Sequence, residues 1–244
     1  MSDKCGSRRV PLALVLALTV VGGLAACGSP AKSASQAPAG QTAPLASPSS
    51  AVSTPATSPP ATSPSKTPVG TPGTFVFPVV GKVSYGHVHH DYPATDILTA
   101  CGNEVRAATS GVILEVSRVD KWKRSVDAGA TRGGLSVSIK GDDGLRYYGS
   151  HLEAIAKNIQ VGVRVTAGEP LGKVGETGDA SACHLHFGIS PVCKGTGDWW
   201  IQRGVIWPWS YLDSWRSGGD KSPVAAIKAW QTTHGCPTKP LVDP

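Results

Sequence analysis

The sequence of 244 residues has no apolar run that reaches the roughly 20 residues of a membrane-spanning helix; the stretch from Val10 to Leu24 stops at 15. It has no cluster of Lys and Arg and no interleaving of aromatic with basic residues, so nothing points to nucleic acid as a partner. No two of its six cysteines form a Cys-x-x-Cys pair, which argues against a zinc–thiolate centre. Between Phe75 and Ile189 few windows keep a helical period, which argues against a helical bundle there.

What the first residues do contain is an export signal. Lys4, Arg8 and Arg9 precede the apolar run, which closes on Leu24-Ala25-Ala26-Cys27. Those four residues have the form of a lipoprotein cleavage site. Residues 1–26 are therefore expected to leave as a signal peptide, and Cys27 to become a lipidated N-terminus at the outer face of the cell membrane. From 27 to 74 Pro, Ser, Thr and Ala dominate with almost no charge, and ten of the chain's 20 prolines fall there. Such a stretch buries too little to offset the entropy of ordering and stiffens toward polyproline II, so it reads as a disordered tether. Loss of the signal removes Lys4, Arg8, Arg9 and Asp3 and brings the formal charge from +6 to +4. With Cys5 discarded and Cys27 lipidated, Cys101, Cys183, Cys193 and Cys236 remain. In an oxidising compartment four thiols make two disulfides, with three pairings open.

About 170 residues are left, the size of one domain with a core of its own. Residues 75–190 read as mostly β, a twisted antiparallel sheet region cut by glycines. Val112–Val116, Leu135–Ile139 and Leu145–Tyr148 have strand composition, and Gly141-Asp142-Asp143-Gly144 reads as a hairpin turn. Lys121 to Gly134 is polar and basic, a surface loop fit to border a groove. Residues 191–244 form a Trp-rich extension whose tryptophans are expected to pack it onto the sheet. One short helix is expected there, over 222–232, with Ser222 as cap and Pro223 at its first position.

The histidines carry the chemistry. His184-Leu185-His186 lies in a stretch ending Phe187-Gly188-Ile189, which reads as a strand. Residues i and i+2 share a face, so the two imidazoles point one way and Leu185 the other. Upstream, the run from His89 and His90 to Asp96 brings another imidazole and a carboxylate. Gly149-Ser150-His151-Leu152 adds a further His. Two His and one carboxylate satisfy a catalytic zinc ion's need for three protein ligands and an open position. Two His then remain for proton transfer and charge stabilisation.

The text from His90 to Asp96, Gly102-x-x-Val105-x-Ala107, Gly111-Val112-Ile113, Tyr148 to Leu152, Gly175 to Gly178 and His184 to Phe187 resembles the lysostaphin-type, or LytM-domain, zinc endopeptidases. Those enzymes cut peptide cross-links in bacterial peptidoglycan. The resemblance implies antiparallel sheets forming a groove, Zn2+ as cofactor, and peptidoglycan peptides as substrate. It implies His90, with His89 as the alternative, together with Asp96 and His186 as metal ligands. His151 and His184 become the unligated catalytic pair, with His151 favoured as base. The family commonly has three residues between the first His and Asp, whereas five follow His90 here and six follow His89. Cys101 and Cys183 are additions to the family pattern. If the strands bearing Asp96 and His186 lie side by side and antiparallel, these two cysteines come near each other, so Cys101–Cys183 and Cys193–Cys236 are the pairs expected. The rival reading is a non-catalytic LytM-like module that activates a cell-wall amidase; such modules usually lack the metal ligands that this sequence retains.

Overall fold

The computed structural model describes residues 74–241. The expected signal over 1–26, the lipid site at Cys27 and all of the tether but Thr74 lie outside the described residues.

Among the described residues eight strands follow one another: β1 (Thr95–Leu98), β2 (Glu104–Arg106), β3 (Gly111–Ser117), β4 (Leu135–Gly141), β5 (Leu145–Ile155), β6 (Arg164–Val165), β7 (Pro170–Val174) and β8 (His184–Pro191). They make one antiparallel sheet in the order β1-β8-β5-β4-β3-β6, with β7 pairing β5 and β2. The pleat sorts the side chains. On β8, Leu185, Phe187 and Ile189 enter the core while His184 and His186 take the opposite face. Val137, Ile139 and Tyr147 from β4 and β5 join the core side, and Ser136, Tyr148 and Ser150 line a groove on the other.

Two irregularities break that alternation where the groove needs it. A register shift between Ile113 and Glu115 in β3 adds one residue, so Ile113 is buried in the core and Glu115 and Ser117 still line the groove. A second shift separates Leu135↔Leu152 from Val137↔Gly149, and His151 within it has φ +65°. A residue with a Cβ adopts this left-handed backbone only at a cost, roughly 1–3 kcal/mol. The twist turns the imidazole of His151 into the groove and leaves Leu152 fully buried in the core.

Three helices occupy the extension where one was expected: α1 (Trp199–Gln202), α2 (Trp209–Arg216) and α3 (Val224–His234). α1 and α2, four and eight residues long, are shorter than the roughly 11- to 18-residue windows in which a helical period is read from sequence. α3 begins one residue later than expected. Pro223, not Ser222, stands at its N-cap, and the Ser222 hydroxyl accepts from the Val224 N–H at 3.3 Å. Trp215 of α2 stacks on Phe75 with centroids 4.9 Å apart and meets Phe187 edge-on, closing the core over the sheet. Trp199 instead lines the groove. Cys101 is joined to Cys183 and Cys193 to Cys236, with Cα separations of 5.2 and 5.6 Å. The first bridge ties the ends of β1 and β8 together, and the second anchors the end of α3 just past β8.

A candidate metal centre in a groove

The antiparallel pairing of β1 with β8 sets Asp96 directly opposite His186, and β5 on the other side of β8 sets Ser150 opposite the same His186. Asp96 Oδ1 lies 2.9 Å from His186 Nδ1. His89 arrives from the loop before β1, its Nε2 3.6 Å from Asp96 Oδ2. One donor atom from each of His89, Asp96 and His186 falls within 4.8 Å of the other two. His184, two residues before His186 on the same face, directs Nε2 at Asp96 Oδ1 from 3.7 Å. His151 lies beside it, the two rings 4.6 Å apart.

The first histidine of the set differs from the one preferred on spacing. His90 is not in the cluster: its side chain is 73 % exposed and hydrogen-bonds Asp91 at 2.8 Å. His89, 3 % exposed, occupies the inner position. The cause is local. The His89 Nδ1–H donates to the Tyr92 carbonyl at 3.1 Å, closing a turn that absorbs the extra residues before Asp96. His90 is left on the outside of that turn, stacked on His89.

Each imidazole has one nitrogen held by a backbone carbonyl, which can only accept a hydrogen bond. Tyr92 O holds His89 Nδ1, Thr177 O holds His151 Nδ1 at 2.7 Å, and Ala182 O holds His184 Nδ1 at 2.7 Å. Arg203 O holds His186 Nε2 at 2.9 Å, the opposite nitrogen. In the neutral ring the second nitrogen is then a bare lone pair, and in His89, His184 and His186 it is the one that approaches Asp96. This second layer of contacts orients ligands and fixes their tautomers.

The donor set fits a divalent cation of the zinc type. His186 stands between two acceptors, Asp96 and the Arg203 carbonyl, and a neutral imidazole has one N–H to give. A cation between Nδ1 and the carboxylate removes that mismatch, because the proton then belongs to Nε2. Two nitrogens and one oxygen are the ligand types of a catalytic zinc site that retains an open position.

Electrostatics favours neutral rings at His89 and His151. Burial, then the field of His186, pushes the His89 imidazole down to about 4. Burial, then the fields of His186 and His184, pushes His151 down to about 3. Burial raises the Asp96 carboxyl, but the hydrogen bond with His186 and the fields of His186, His89 and His184 outweigh it and hold it well below the usual carboxylate range.

The groove around this cluster has a volume of about 510 Å³. The loop of 129–134 forms one wall, and α1 with Arg203 forms another. Close backbone approaches set both. Gly134 (φ +58°) and Gly178 (φ +75°) lie so near each other that a Cβ on either would overlap the other strand of chain. This contact brings the Thr177 carbonyl and the Gly133 carbonyl, which accepts from His151 N at 2.9 Å, to the same residue. A Cβ at Gly188 would overlap the Arg203 carbonyl, so glycine there lets α1 reach His186. Behind α1, Arg146 and Asp198 form an ion pair at 2.8 Å, with 0 % and 1 % of their side chains exposed. Thr177 lies within the motif text quoted above, but its carbonyl is main chain and carries no side-chain signal. Arg203 lies beyond the motifs altogether.

Residues 90–196 match Peptidase family M23. Among solved structures, the catalytic domain of the antimicrobial peptidase lysostaphin from Staphylococcus simulans is 26% identical, aligned over 54% of this chain and 93% of that chain, with a TM-score of 0.42. A longer lysostaphin chain from the same organism is 28% identical over 59% of this chain, with a TM-score of 0.42, and the alignment spans 53% of its length. A zinc-containing peptidase from Vibrio cholerae is 21% identical over 47% of this chain and 36% of that chain, with a TM-score of 0.37. No curated protein sequence matches the chain.

Proposed function

We propose, from the match of residues 90–196 to Peptidase family M23, that this chain is a zinc-dependent endopeptidase that hydrolyses cross-links or stem peptides of bacterial peptidoglycan. The observation that carries the reading is the set of four buried or half-buried imidazoles, each tied through one nitrogen to a backbone carbonyl, of which His89, His184 and His186 turn the other toward Asp96 while the His151 ring packs beside His184. His89, Asp96 and His186 would hold the ion, with His89 in the place that spacing assigned to His90. A zinc ion so held supplies Lewis acidity toward a scissile carbonyl and a water.

The protein's own groups supply the rest. His151 Nε2, kept basic in form by the Nδ1–H bond to Thr177 O, takes a proton from the attacking water and returns it to the leaving amine. His184 can stabilise the developing oxyanion by donating from Nε2, which requires that ring to gain a proton while Nδ1–H stays on Ala182 O. The loop of 129–134 and α1 wall the groove on two sides, and the low-dielectric surroundings strengthen these interactions.

A complete donor set supports an enzyme over a metal-free activator of another hydrolase. Export, lipid attachment at Cys27 and a tether into the wall belong to the same proposal and place the groove beside its polymer. The test is incubation of the purified full chain with peptidoglycan, with and without chelator, and mass spectrometry of released fragments. New amino groups without new reducing ends, lost on chelation, are expected. Stimulation of a separate amidase by a chain that binds no metal would establish the activator instead.

A further inference from the structure

Arg203 stands at the C-terminal end of α1, outside the stretch that matches the family, and lines the groove. Its residue is 8 % exposed. The guanidinium carbon lies 3.9 Å from the ring centroid of Tyr92 and 5.1 Å from that of Trp199, so two aromatic faces hold it. Its Nε has no hydrogen-bond partner among the described residues. The cation on the neighbouring wall, Arg132, is committed to Asp127 through Nε at 2.8 Å and Nη2 at 2.6 Å. Asp91, the carboxylate close by on the loop, hydrogen-bonds His90. A guanidinium that is buried, clamped and missing a partner on its donor edge is a costly arrangement unless a ligand completes it.

We infer that Arg203 forms a carboxylate subsite of the groove, which receives a free carboxylate of the peptide being cut. This rests on the peptidase reading and narrows its substrate to acidic peptides. The planar fork of arginine matches a carboxylate through two parallel N–H bonds, and the aromatic clamp preorganises the fork. The guanidinium and His186 share Tyr92 as a neighbour, its ring centroid lying 3.9 Å from the guanidinium carbon and 5.8 Å from the His186 centroid. An extended peptide advances roughly 3.3 Å per residue, so the carboxylate belongs to a residue next to the scissile bond or one beyond it. The Arg203 carbonyl holds His186 at the same time, so substrate charge and metal ligand meet on one residue.

The test uses four synthetic peptides of one sequence, ending in a free carboxylate or an amide, each with Glu or Gln as the penultimate residue. Binding is measured by calorimetry on the zinc-loaded full chain carrying His151→Ala, so that no peptide is consumed, and hydrolysis on the unsubstituted chain. A carboxylate-bearing peptide is expected to bind about 10- to 100-fold more tightly than the amide–Gln peptide, the range for a charged hydrogen-bonded pair. The terminal and Glu arms tell which carboxylate is read. Adding Arg203→Gln should abolish the preference, and Arg203→Lys should restore only part of it, because lysine lacks the fork. Equal affinity for all four peptides, or a preference that survives Arg203→Gln, overturns the assignment. Preference without hydrolysis leaves the subsite standing and removes the peptidase; hydrolysis without preference does the reverse.

Discussion

Asp96 and His186 face each other across the β1–β8 pair, 90 residues apart in the chain, with Oδ1 and Nδ1 at 2.9 Å. The register of one antiparallel pair thereby builds two thirds of the proposed ligand set, and the turn at His89 completes it.

That completion separates two adjacent histidines. His89→Ala should reduce zinc affinity by more than roughly 100-fold, since loss of an outer-layer partner alone costs 10–100-fold. His90→Ala should leave zinc content at one equivalent per chain. Elemental analysis and competition with a chromophoric chelator check this; equal loss in both variants would count against the inner placement of His89.

In the proposed reaction His151 serves the chemistry without holding the ion. His151→Ala is expected to lower kcat by about 10²–10⁴-fold, the range of a general base, while zinc content stays intact. Peptidoglycan turnover measured beside metal analysis separates the two effects. A variant that lost its zinc would move His151 into the ligand set.

Acid should weaken the metal-free fold. His89 and His151 titrate at about 4 and about 3 when folded because burial disfavours their charged forms, and near 6.5 when unfolded. Between about pH 6.5 and 4 the unfolded chain binds more protons, so stability rises with pH across that window and falls on acidification. Asp96, depressed in the fold, adds stability above about pH 3.8 that is lost as pH falls through its folded value. Urea midpoints of chelator-treated protein should decrease stepwise from about pH 7 to 5, and His89→Gln should flatten the slope. A midpoint constant over that range would contradict the buried neutral rings.

The Arg146–Asp198 pair holds the α1 wall to β5. Asp198→Ala leaves Arg146 buried and uncompensated, and should destabilise the domain by about 3–5 kcal/mol. Differential scanning calorimetry reads the loss directly. A change of less than about 1 kcal/mol, the usual worth of an exposed pair, would mean that water reaches the site.

Much of this was legible in the order of residues, and the exceptions share a cause. The alternation in His184–Ile189 is a covalent consequence of the strand period, so the common face of His184 and His186 is readable before any fold is known. The composition up to residue 74 and the cysteine count are equally local properties. His151 was legible as a residue type but not as a groove residue, because strict alternation would bury it; its left-handed φ within a bulge turns it outward. Glu115 reaches the groove through the bulge in β3, for a similar reason.

The sequence by itself therefore determined which residue types are available to the site, and on which strand face the two histidines of β8 stand. Tertiary structure decided His89 over His90, the two disulfide partnerships, the three helices, and the arrival of Arg203 beside His186. These depend on the path of loops and on close backbone approaches at Gly134, Gly178 and Gly188. Such contacts join segments far apart in the chain, and neither spacing nor periodicity records them.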